Sequence, residues 1–309
     1  MRVAIDAREL CGKPTGVGRY LSELLIEWGR MPEARRHDWI LYAPAAPAVP
    51  GGFPERVRVL PGTGGTAWEQ WTLARALATD RPDVLFAPGY SAPLTAPCPT
   101  VVAVHDVSFA ARPEWFSSRE GLRRRVVTRW SARRARLVLT ISAFSRREVA
   151  DRLGIAGDKI RVTPLGVRRR ADTPREPEPL VLYVGSIFAR RHVDVLVDAF
   201  VSHVASAVPE ARLEIVGENR LRPESPPGPS LQAAPEQVRS RVRFRSYVDD
   251  DTLHGLYGRA AVFAFLSEYE GFGLTPLEAM AHGVPPVVLD TEVAREVYGP
   301  AAEYLTLGP

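Results

Sequence analysis

Residues 261–281 read AVFAFLSEYEGFGLTPLEAMA, and this stretch decides the fold class. It opens with an apolar run at 261–266 that is long enough for one buried strand. It then passes through a turn with two glycines into a helical pattern, where Pro276 suits the first turn of a helix. A strand that leads through a glycine turn into a helix is the repeating unit of α/β proteins.

The same alternation of short apolar runs and longer helical periods extends along the whole chain. Because many of the apolar runs lack strict alternation with polar residues, we expect them to be buried on both faces, as in parallel sheets covered by helices. The sequence therefore predicts a doubly wound α/β architecture. The predicted strands are Val3–Asp6, Trp39–Tyr42, Val57–Leu60, Val84–Ala87, Val101–His105, Leu137–Ser142, Ile160–Thr163, Val181–Gly185, Leu213–Gly217, Val242–Arg245, Ala261–Leu266 and Pro286–Leu289.

A charged, proline-rich segment at 168–179 interrupts this alternation, and the pattern starts again at Leu180. Such a composition is typical of a linker. The sequence thus predicts two Rossmann-like domains, at 1–170 and 171–309. A second proline-rich stretch, Arg222–Pro235, is predicted to be a surface loop.

Composition excludes several classes of protein. Of the 309 residues, 45% are hydrophobic and 25% are charged, which is typical of a globular chain with a core of its own. The net charge of +4 does not indicate a nucleic-acid partner. We expect Cys11 and Cys98 to be free thiols, since a chain of this size needs no disulfides. The N-terminus lacks a secretory signal and no apolar run is long enough to cross a bilayer, so the expected location is the cytoplasm.

The turn after the first predicted strand reads TGVGRY at 15–20 and leads directly into a helical pattern. Gly16 and Gly18 would let backbone N–H groups approach a phosphate at the helix N-terminus. The alternative is that these glycines have only a steric purpose. The third glycine of the dinucleotide fingerprint is replaced by Leu21, and no acidic residue follows the second strand, so NAD is not expected and no cofactor is predicted.

The second cluster is the turn within the opening stretch. Backbone amides around Gly273–Thr275 would face an anion at the N-terminus of the following helix. Glu278 lies about one turn inside that helix, where its carboxylate can reach a ribose hydroxyl. A single such glutamate is usually a solvated helix residue. The pair Glu270 and Glu278, separated by seven residues around a Gly-Phe-Gly turn, is a more specific pattern.

Taken together, these motifs resemble the retaining GT-B glycosyltransferases of family 4, and the resemblance extends over nearly the whole chain. The residues that carry it are the Glu270 and Glu278 pair with its flanking sequence, TGVGRY at 15–20, HDVSF at 105–109, TISAFS at 140–145 and PLGV at 164–167. The resemblance implies two Rossmann-like domains that face a cleft, with the nucleotide-sugar donor on the C-terminal domain and the acceptor on the N-terminal domain.

On the donor side, the resemblance assigns a diphosphate-binding cation to the stretch after the first strand of the second domain. The family's usual Lys is replaced here by Arg191, which follows Arg190. Both arginines could instead be solvated residues at a helix start. Where some members have a second diphosphate-binding Arg, this chain has Ser186. The remaining donor contacts are expected from Phe272, Gly273, Leu274, Thr275 and Glu278, while Glu270 is expected to hold sugar hydroxyls.

On the acceptor side, His105 ends a predicted strand and matches the family's His-Asp signature. The resemblance gives it a contact with the transferred sugar and the leaving phosphate, although a lone His after a strand is more often structural. Tyr90, Asp106 and Phe109 are expected to contact the acceptor. The alternative for the aromatic side chains is that they pack the domain.

Two charged runs have alternative interpretations. Asp249-Asp250-Asp251 contains the D-x-D pattern of a metal site, but an N-cap with first-turn carboxylates explains it well, and no metal is predicted. A predicted helix of the N-terminal domain is rich in arginine. Such a run is usually a solvated face, but a basic amphipathic helix can also rest on anionic lipid. The residues of this run are Arg119, Arg123, Arg124, Arg125, Arg129, Arg133, Arg134 and Arg136.

The predicted function is metal-independent, retaining transfer of a hexose, with mannose favoured, from a nucleoside diphosphate sugar to a glycan or lipid-linked glycan of the cell surface. GDP-mannose is the leading donor. If the basic helix contacts lipid, the enzyme would work at the inner face of the cell membrane. The competing hypothesis is a non-catalytic or impaired nucleotide-sugar-binding protein, or a fragment, since family members usually continue past the equivalent of residues 301–305.

Overall fold

A computed structural model describes residues 1–12, 15–53, 55–168, 175–221 and 228–308. The chain divides into two compact units, Met1–Pro164 and Leu165–Pro309. Half of the predicted linker, at 169–174, lies outside the described residues. Each unit contains one sheet in which every described pair of neighbouring strands is parallel.

The sheet of the N-terminal unit has the strand order β3-β2-β1-β4-β5-β6-β7. Its strands are β1 (Arg2–Asp6), β2 (Asp38–Ala43), β3 (Glu55–Val59), β4 (Val84–Ala87), β5 (Thr100–Ala103), β6 (Leu137–Thr140) and β7 (Ile160–Val162). The helices between them are α1 (Gly16–Arg30), α2 (Ala74–Asp80), α3 (Ser108–Ala111), α4 (Ser118–Arg134) and α5 (Ala143–Leu153), and a π-helical turn (Trp68–Leu73) precedes α2.

Apolar side chains cover both faces of this sheet. On one face Leu21 and Leu25 of α1 pack against Ile5 and Leu41, and all four are fully buried. The opposite face holds a separate cluster that includes Leu77 of α2. Burial on both faces explains why the inner strands read as apolar runs, whereas the edge strand β3 is partly exposed and alternates with polar residues.

The sheet of the C-terminal unit has the order β10-β9-β8-β11-β12-β13. Its strands are β8 (Leu180–Val184), β9 (Arg212–Val216), β10 (Val242–Arg245), β11 (Val262–Phe265), β12 (Pro286–Leu289) and β13 (Glu303–Leu305). Its helices are α6 (Val193–Ala199), α7 (Ala205–Ala207), α8 (Pro229–Ala233), α9 (Glu236–Arg239), α10 (Asp250–Arg259), α11 (Leu274–Ala281) and α12 (Glu292–Tyr298), with a π-helical turn (Phe200–Val204) after α6.

All twelve predicted strands are present, with ends that differ by at most two residues. Strand β13 was not predicted, because this edge strand of three residues begins with a glutamate and has no apolar run. The prediction of a surface loop over Arg222–Pro235 was wrong for its described part, which contains α8. Pro229 takes the first helical position there, where its fixed φ favours a helix, and Leu231 packs against the core. Residues 222–227 lie outside the described residues.

In both sheets the order reverses direction beside the first strand of the unit, between β1 and β4 and between β8 and β11. Loops that leave the carboxyl ends of such neighbouring strands diverge and form a crevice, which is where open α/β sheets bind ligands. The two loop pairs at these positions contain most of the predicted functional residues. Among the described residues, no helix is both long enough and apolar enough to span a membrane.

Candidate active site

In the C-terminal unit, the loop after β8 lies beside the loop after β11. Arg191 from the first loop pairs with Glu270 from the second, through Nε at 3.0 Å and Nη2 at 2.8 Å from Oε1. The neighbouring residues repeat the connection, since His192 Nε2 lies 2.5 Å from Glu268 Oε1. Two neighbouring side chains of the first loop, Arg191 and His192, thus each contact a glutamate of the second loop. Arg191, the predicted diphosphate-binding cation, is in direct contact with Glu270.

The guanidinium of Arg191 is held on several sides. Its Nη1 donates to the carbonyl of Ser186 at 3.1 Å, and its centre lies 5.2 Å from the ring centroid of Phe265. Burial disfavours the charge, but Glu270 and Tyr183 more than offset it and raise the pKa of Arg191. Its side chain is only 15% exposed, so the interpretation of Arg191 as a solvated helix-start residue was wrong.

Arg190 has a different environment from its neighbour. Its guanidinium stacks 4.2 Å from the ring centroid of Phe188. Its carbonyl accepts a hydrogen bond from the backbone N–H of Glu268 at 2.9 Å, which adds another link between the two loops. Arg190 therefore helps to fix the geometry of the loop pair.

The glutamate of this ion pair receives a further hydrogen bond. Ser267 Oγ donates to Glu270 Oε1 at 2.9 Å, so the described hydrogen bonds to this carboxylate all fall on Oε1. The second oxygen, Oε2, accepts none within the described residues. The loop thus presents a carboxylate that is fixed by one oxygen and has the other available for a hydroxyl donor.

The turn before α11 depends on a glycine. Gly273 has a φ of +86°, and a Cβ at this position would lie 2.0 Å from the hydroxyl oxygen of Tyr298. That hydroxyl donates to the carbonyl of Gly273 at 2.9 Å. The following helix places the hydroxyl of Thr275 in a buried position with no partner within the described residues. Phe272, just before the glycine, is buried.

The carboxylate of Glu278 is oriented by a tyrosine of α10. The hydroxyl of Tyr257 donates to Glu278 Oε2 at 3.1 Å, and the ring of Tyr257 stacks on His282 with centroids 5.0 Å apart. This carboxylate is therefore held in a defined orientation at the first turns of α11. The predicted residues Arg190, Arg191, Glu270, Phe272, Gly273, Leu274, Thr275 and Glu278 thus all lie on the two adjoining loops and the start of α11.

In the N-terminal unit, the turn after β1 differs from the predicted phosphate-binding turn. The backbone N–H of Gly18 donates to the N-cap hydroxyl of Thr15 at 2.9 Å, so it is not available for a phosphate. Gly18 is required for steric reasons, because a Cβ there would lie 2.4 Å from the carbonyl oxygen of Glu9. The N–H groups of Gly16 and Val17 have no acceptor within the described residues. Of the two predicted glycines, only Gly16 therefore retains a free donor.

His105 follows β5 and is 8% exposed. Its Nε2 lies 2.7 Å from the carbonyl oxygen of Pro88, so this nitrogen donates and carries the proton. The ring makes edge contacts with Tyr20 and Tyr90, at centroid distances of 4.7 and 5.5 Å. Burial lowers the pKa of His105 more than Pro88, Asp106 and Glu9 raise it, which keeps the imidazole neutral near pH 7.

The predicted acceptor residues surround this histidine. The hydroxyl of Tyr90 donates to Asp106 Oδ2 at 2.7 Å, and Tyr90 itself has a φ of 68°, an uncommon conformation for a residue with a side chain. Phe109 is only 2% exposed and belongs to the core. Its ring packs edge-on against Tyr90 with centroids 6.4 Å apart, so it supports the tyrosine and offers no face to a ligand.

The acidic run has the capping role that the sequence favoured. Asp249 is the N-cap of α10, and its Oδ1 accepts from the N–H of Thr252 at 2.8 Å. The two following aspartates lie in the first turn. Among the described residues, no group of three or more His, Cys, Asp or Glu side chains is arranged to hold a metal ion. The two cysteines are free thiols, as expected.

Several residues of these sites were missed by the sequence analysis. Tyr257 and Tyr298 orient Glu278 and Gly273 from helices that are distant along the chain. Glu268 and His192 are separated by 76 positions, and no spacing rule connects them. In the N-terminal unit the missed residue is Glu69, which is buried in the π-helical turn before α2, pairs with Arg8 and accepts from Ser91 Oγ at 2.8 Å. A tyrosine near a helix end carries no sequence signal that distinguishes it from a core residue.

Two parallel-sheet α/β units, with an ion-paired loop pair beside a helix N-terminus in the second, define a protein of the GT-B class. The chain belongs to glycosyltransferase family 4, whose family model, described as Glycosyltransferase Family 4, matches residues 14–170, slightly more than half of the chain. The model described as Glycosyl transferases group 1 matches residues 168–305. The family and fold inferred from the motifs are thus confirmed.

Two curated relatives are mannosyltransferases by name. MMP alpha-(1->4)-mannosyltransferase of Mycolicibacterium hassiacum is 30% identical over 216 residues, which cover 66% of this chain and 51% of the relative. O-antigen chain mannosyltransferase B of Escherichia coli is 28% identical over 216 residues, which cover 65% of this chain and 55% of the relative. The chain therefore spans about half the length of these curated relatives.

Solved structures show the same fold. The crystal structure of Anabaena HepE in complex with UDP and glucose superposes with a TM-score of 0.66 at 21% sequence identity. The match covers 99% of this chain and 85% of that one. At this identity the likeness establishes the GT-B architecture.

Proposed function

We propose that the chain is a retaining glycosyltransferase that moves a hexose from a nucleoside diphosphate sugar to a glycan or lipid-linked glycan. The observation that carries the proposal is the Arg191–Glu270 pair beside the N-terminus of α11. A buried cation and the unpaired amides of a helix start are suited to a diphosphate, and the adjoining carboxylate is suited to the hydroxyls of a sugar.

In this proposal the C-terminal unit binds the donor. Arg191 and the amides of Gly273–Thr275 meet the charge that grows on the diphosphate as the sugar leaves, so no metal ion is needed for that role. Glu270 accepts hydrogen bonds from sugar hydroxyls through Oε2, the oxygen that its described partners leave open. Glu278, oriented by Tyr257, accepts from the ribose hydroxyls.

The N-terminal unit provides the remaining contacts. The neutral imidazole of His105 has Nδ1 left for the transferred sugar, because Nε2 is bonded to Pro88. The amides of Gly16 and Val17 are the donors left for a phosphate at this unit. The leaving phosphate itself takes the proton of the acceptor hydroxyl. Tyr90 and Asp106 contact the acceptor. Phe109 does not, because its ring is buried.

Mannose is the proposed sugar and GDP-mannose the proposed donor. Both relatives reported above are mannosyltransferases by name, and one is named for the O-antigen chain, which supports a role in surface polysaccharide synthesis. The HepE structure is described as a complex with UDP, so a uracil nucleotide is the alternative. Backbone contacts of the loops distinguish guanine from uracil, and the fold alone does not determine these contacts.

The exposed surface of helix α4 supports a location of the enzyme at the cytoplasmic face of a membrane. Leu122 and Trp130 are 62% and 52% exposed, and Val126 lies between them on the same helical stripe. The arginines of α4 flank this stripe. Exposed apolar side chains beside cations fit the interface of an anionic lipid surface, which would suit a lipid-linked acceptor.

The experiment that tests this function combines ligand binding and turnover. A thermal-shift screen with GDP, UDP and ADP identifies the base, because a ligand that binds only the folded state stabilises it by about 2.7 kcal/mol at a hundred times its Kd. A panel of nucleotide sugars with that base is then assayed for diphosphate release and transfer to cell lipid extract.

Glu278→Ala and Arg191→Ala should each lower the rate at least tenfold. Glu210→Gln, which changes an exposed carboxylate of the same unit, should not. Undiminished rates in both site variants would contradict the proposal, and binding without transfer would favour the non-catalytic alternative.

A further inference from the structure

Two histidines of the C-terminal unit lie next to Glu278, the carboxylate assigned to the ribose. His254 Nδ1 lies 3.1 Å from His282 Nε2, and His282 Nδ1 lies 2.8 Å from the backbone carbonyl oxygen of Glu278. The two rings are also stacked, with centroids 5.2 Å apart and an interplanar angle of 26°. We call His254 and His282 the histidine pair. The proposed function gives neither residue a role.

Helical spacing brings these side chains together. His254 and Tyr257 are three residues apart on α10, and Glu278 of α11 lies four residues before His282, the C-cap of that helix. Side chains at these spacings lie on the same face of a helix. Helices α10 and α11 therefore each supply two of the four side chains that meet here.

The hydrogen bonds of the histidine pair have a fixed direction. A carbonyl oxygen only accepts, so His282 Nδ1 carries a proton and donates to Glu278. Nε2 of the neutral His282 ring then has a lone pair and no proton, so it accepts from Nδ1 of His254. The donors thus run in series from His254 through His282 to the backbone of Glu278.

The ring of His282 acts on Glu278 in two ways. One is the hydrogen bond to the backbone carbonyl. The other passes through Tyr257, whose ring stacks on His282 with centroids 5.0 Å apart and whose hydroxyl donates to Glu278 Oε2 at 3.1 Å. Tyr257 is only 1% exposed, so its position depends on the groups packed against it. One imidazole therefore constrains both the backbone and the carboxylate of the same glutamate.

We infer that His254 and His282 are positioning residues for the ribose of the donor, an inference that rests on the proposed function. They act through Glu278 and Tyr257 rather than by contact with the nucleotide. A carboxylate that recognises hydroxyl groups must be held close to the productive orientation, which packing and hydrogen bonds from neighbouring side chains achieve. The diphosphate is assigned to Arg191 and to amides at the opposite end of α11. Loss of the histidine pair should therefore weaken the ribose contacts selectively.

The test compares a ribonucleoside diphosphate with its 2′,3′-dideoxy counterpart, which lacks the hydroxyls that Glu278 would bind. The base is that of GDP, UDP or ADP, whichever stabilises the full chain in the thermal-shift screen. Calorimetric titration of the wild type should give an affinity about tenfold higher for the ribonucleotide, since hydrogen bonds to a charged group are lost in the analogue.

His282→Ala should remove most of this difference. Affinity for the ribonucleotide should fall about fivefold, and affinity for the dideoxynucleotide should stay close to the wild-type value, because Glu278 would no longer be held for the ribose. The control is His203→Ala, which removes an exposed histidine of the same unit and should leave both affinities unchanged.

Further variants separate positioning from folding. His254→Ala should also weaken binding of the ribonucleotide selectively, whereas His254→Asn, which has an amide N–H near the place of Nδ1, should restore most of the affinity. In a Glu278→Gln background, His282→Ala should have no further effect on the ribonucleotide, because the histidine pair acts through that carboxylate.

An equal loss of affinity for both nucleotides in His282→Ala and His254→Ala would overturn the inference, since it would show a general loss of stability. Unchanged affinity for the ribonucleotide in both variants would overturn it too. Equal binding of the two nucleotides by the wild type would exclude a ribose role for Glu278 and with it the inference, while sugar transfer would still support the transferase function. Absence of binding by all three diphosphates would instead refute the proposed function itself.

Discussion

The hydroxyl of Tyr298 donates a hydrogen bond to the carbonyl of Gly273 at 2.9 Å, and no side chain fits between them. Tyr298 ends α12, and Gly273 is the last residue before α11. Burial raises the pKa of the Tyr298 hydroxyl well above its usual range, so this hydroxyl remains a donor near neutral pH. Helix α12 thus fixes the turn that starts α11.

Gly273→Ala should weaken binding of the nucleoside diphosphate by about 10- to 100-fold, because a left-handed conformation costs about 1–2 kcal/mol and the methyl group would displace Tyr298. The double variant Gly273→Ala with Tyr298→Phe should recover part of this loss, since the clash is removed. Calorimetric titration with GDP and UDP measures both effects. Gly299→Ala is the matched control, with a φ of +53° and no atom near the added Cβ. Unchanged affinity in Gly273→Ala would show that the turn does not shape the phosphate site.

Glu270→Gln should destabilise the C-terminal unit by about 2–4 kcal/mol, because it leaves the buried guanidinium of Arg191 without its counter-charge. The glutamine keeps an oxygen for Ser267 and Arg191, so the effect reports charge rather than lost packing. A bound diphosphate would replace the missing negative charge. Thermal denaturation with and without GDP or UDP should therefore show a larger ligand-induced stabilisation in the variant than in the wild type. A smaller one would place the diphosphate away from Arg191.

Central strands such as β1, β2, β8 and β9 could be predicted from the sequence because they are buried on both faces, so that their apolar composition alone identifies them. The loop pair could be placed for a similar reason, since the carboxyl ends of neighbouring parallel strands converge. The contacts between residues within the site could not be predicted from the sequence. The contact between Arg191 and Glu270 spans 79 positions, and Tyr298 reaches Gly273 from a helix with no distinguishing pattern. Gly18 matched a phosphate turn in sequence, yet its N–H donates to the N-cap hydroxyl of Thr15, three residues earlier, a competition that spacing alone does not reveal.

Stability of the N-terminal unit should fall as the pH is lowered from about 7 towards 5. The pKa of His105 is lowered in the folded state from the ordinary value of 6.5, so the unfolded chain binds a proton first and is favoured as the pH falls through that value. Above pH 7 this contribution is fully present. His105→Gln keeps an N–H donor for Pro88 but cannot titrate, so the slope of unfolding free energy against pH should be smaller in this variant.

Chemical denaturation between pH 5 and 8 measures this slope. His203→Gln removes an exposed histidine from the other unit and serves as the control, with the wild-type slope expected. A slope that is the same in His105→Gln and in the wild type would show that His105 titrates normally in the folded protein.

Trp130→Ser with Leu122→Ser should reduce binding to vesicles of phosphatidylcholine with 30% phosphatidylglycerol at least tenfold, because the exposed stripe of α4 loses its apolar contacts. Binding should also fall as salt is raised, since each arginine near an anionic surface contributes about 1 kcal/mol. Vesicle flotation measures both effects. Tyr247→Ser alters an aromatic residue that is 81% exposed in the C-terminal unit, and it should bind like the wild type. Equal flotation with pure phosphatidylcholine would exclude the anionic-lipid interpretation.

The measurement that tests the central claim most directly is the proton NMR spectrum of the product formed from a nucleoside diphosphate α-sugar, with GDP-mannose tried first, and methyl α-mannoside. The proposed function predicts release of one diphosphate for each glycosidic bond and an α anomeric signal in the product, both lost in Arg191→Ala. A β-linked product would contradict the retaining mechanism. An intact donor with no new anomeric signal, across donors of the base that stabilises the protein, would contradict the transferase itself.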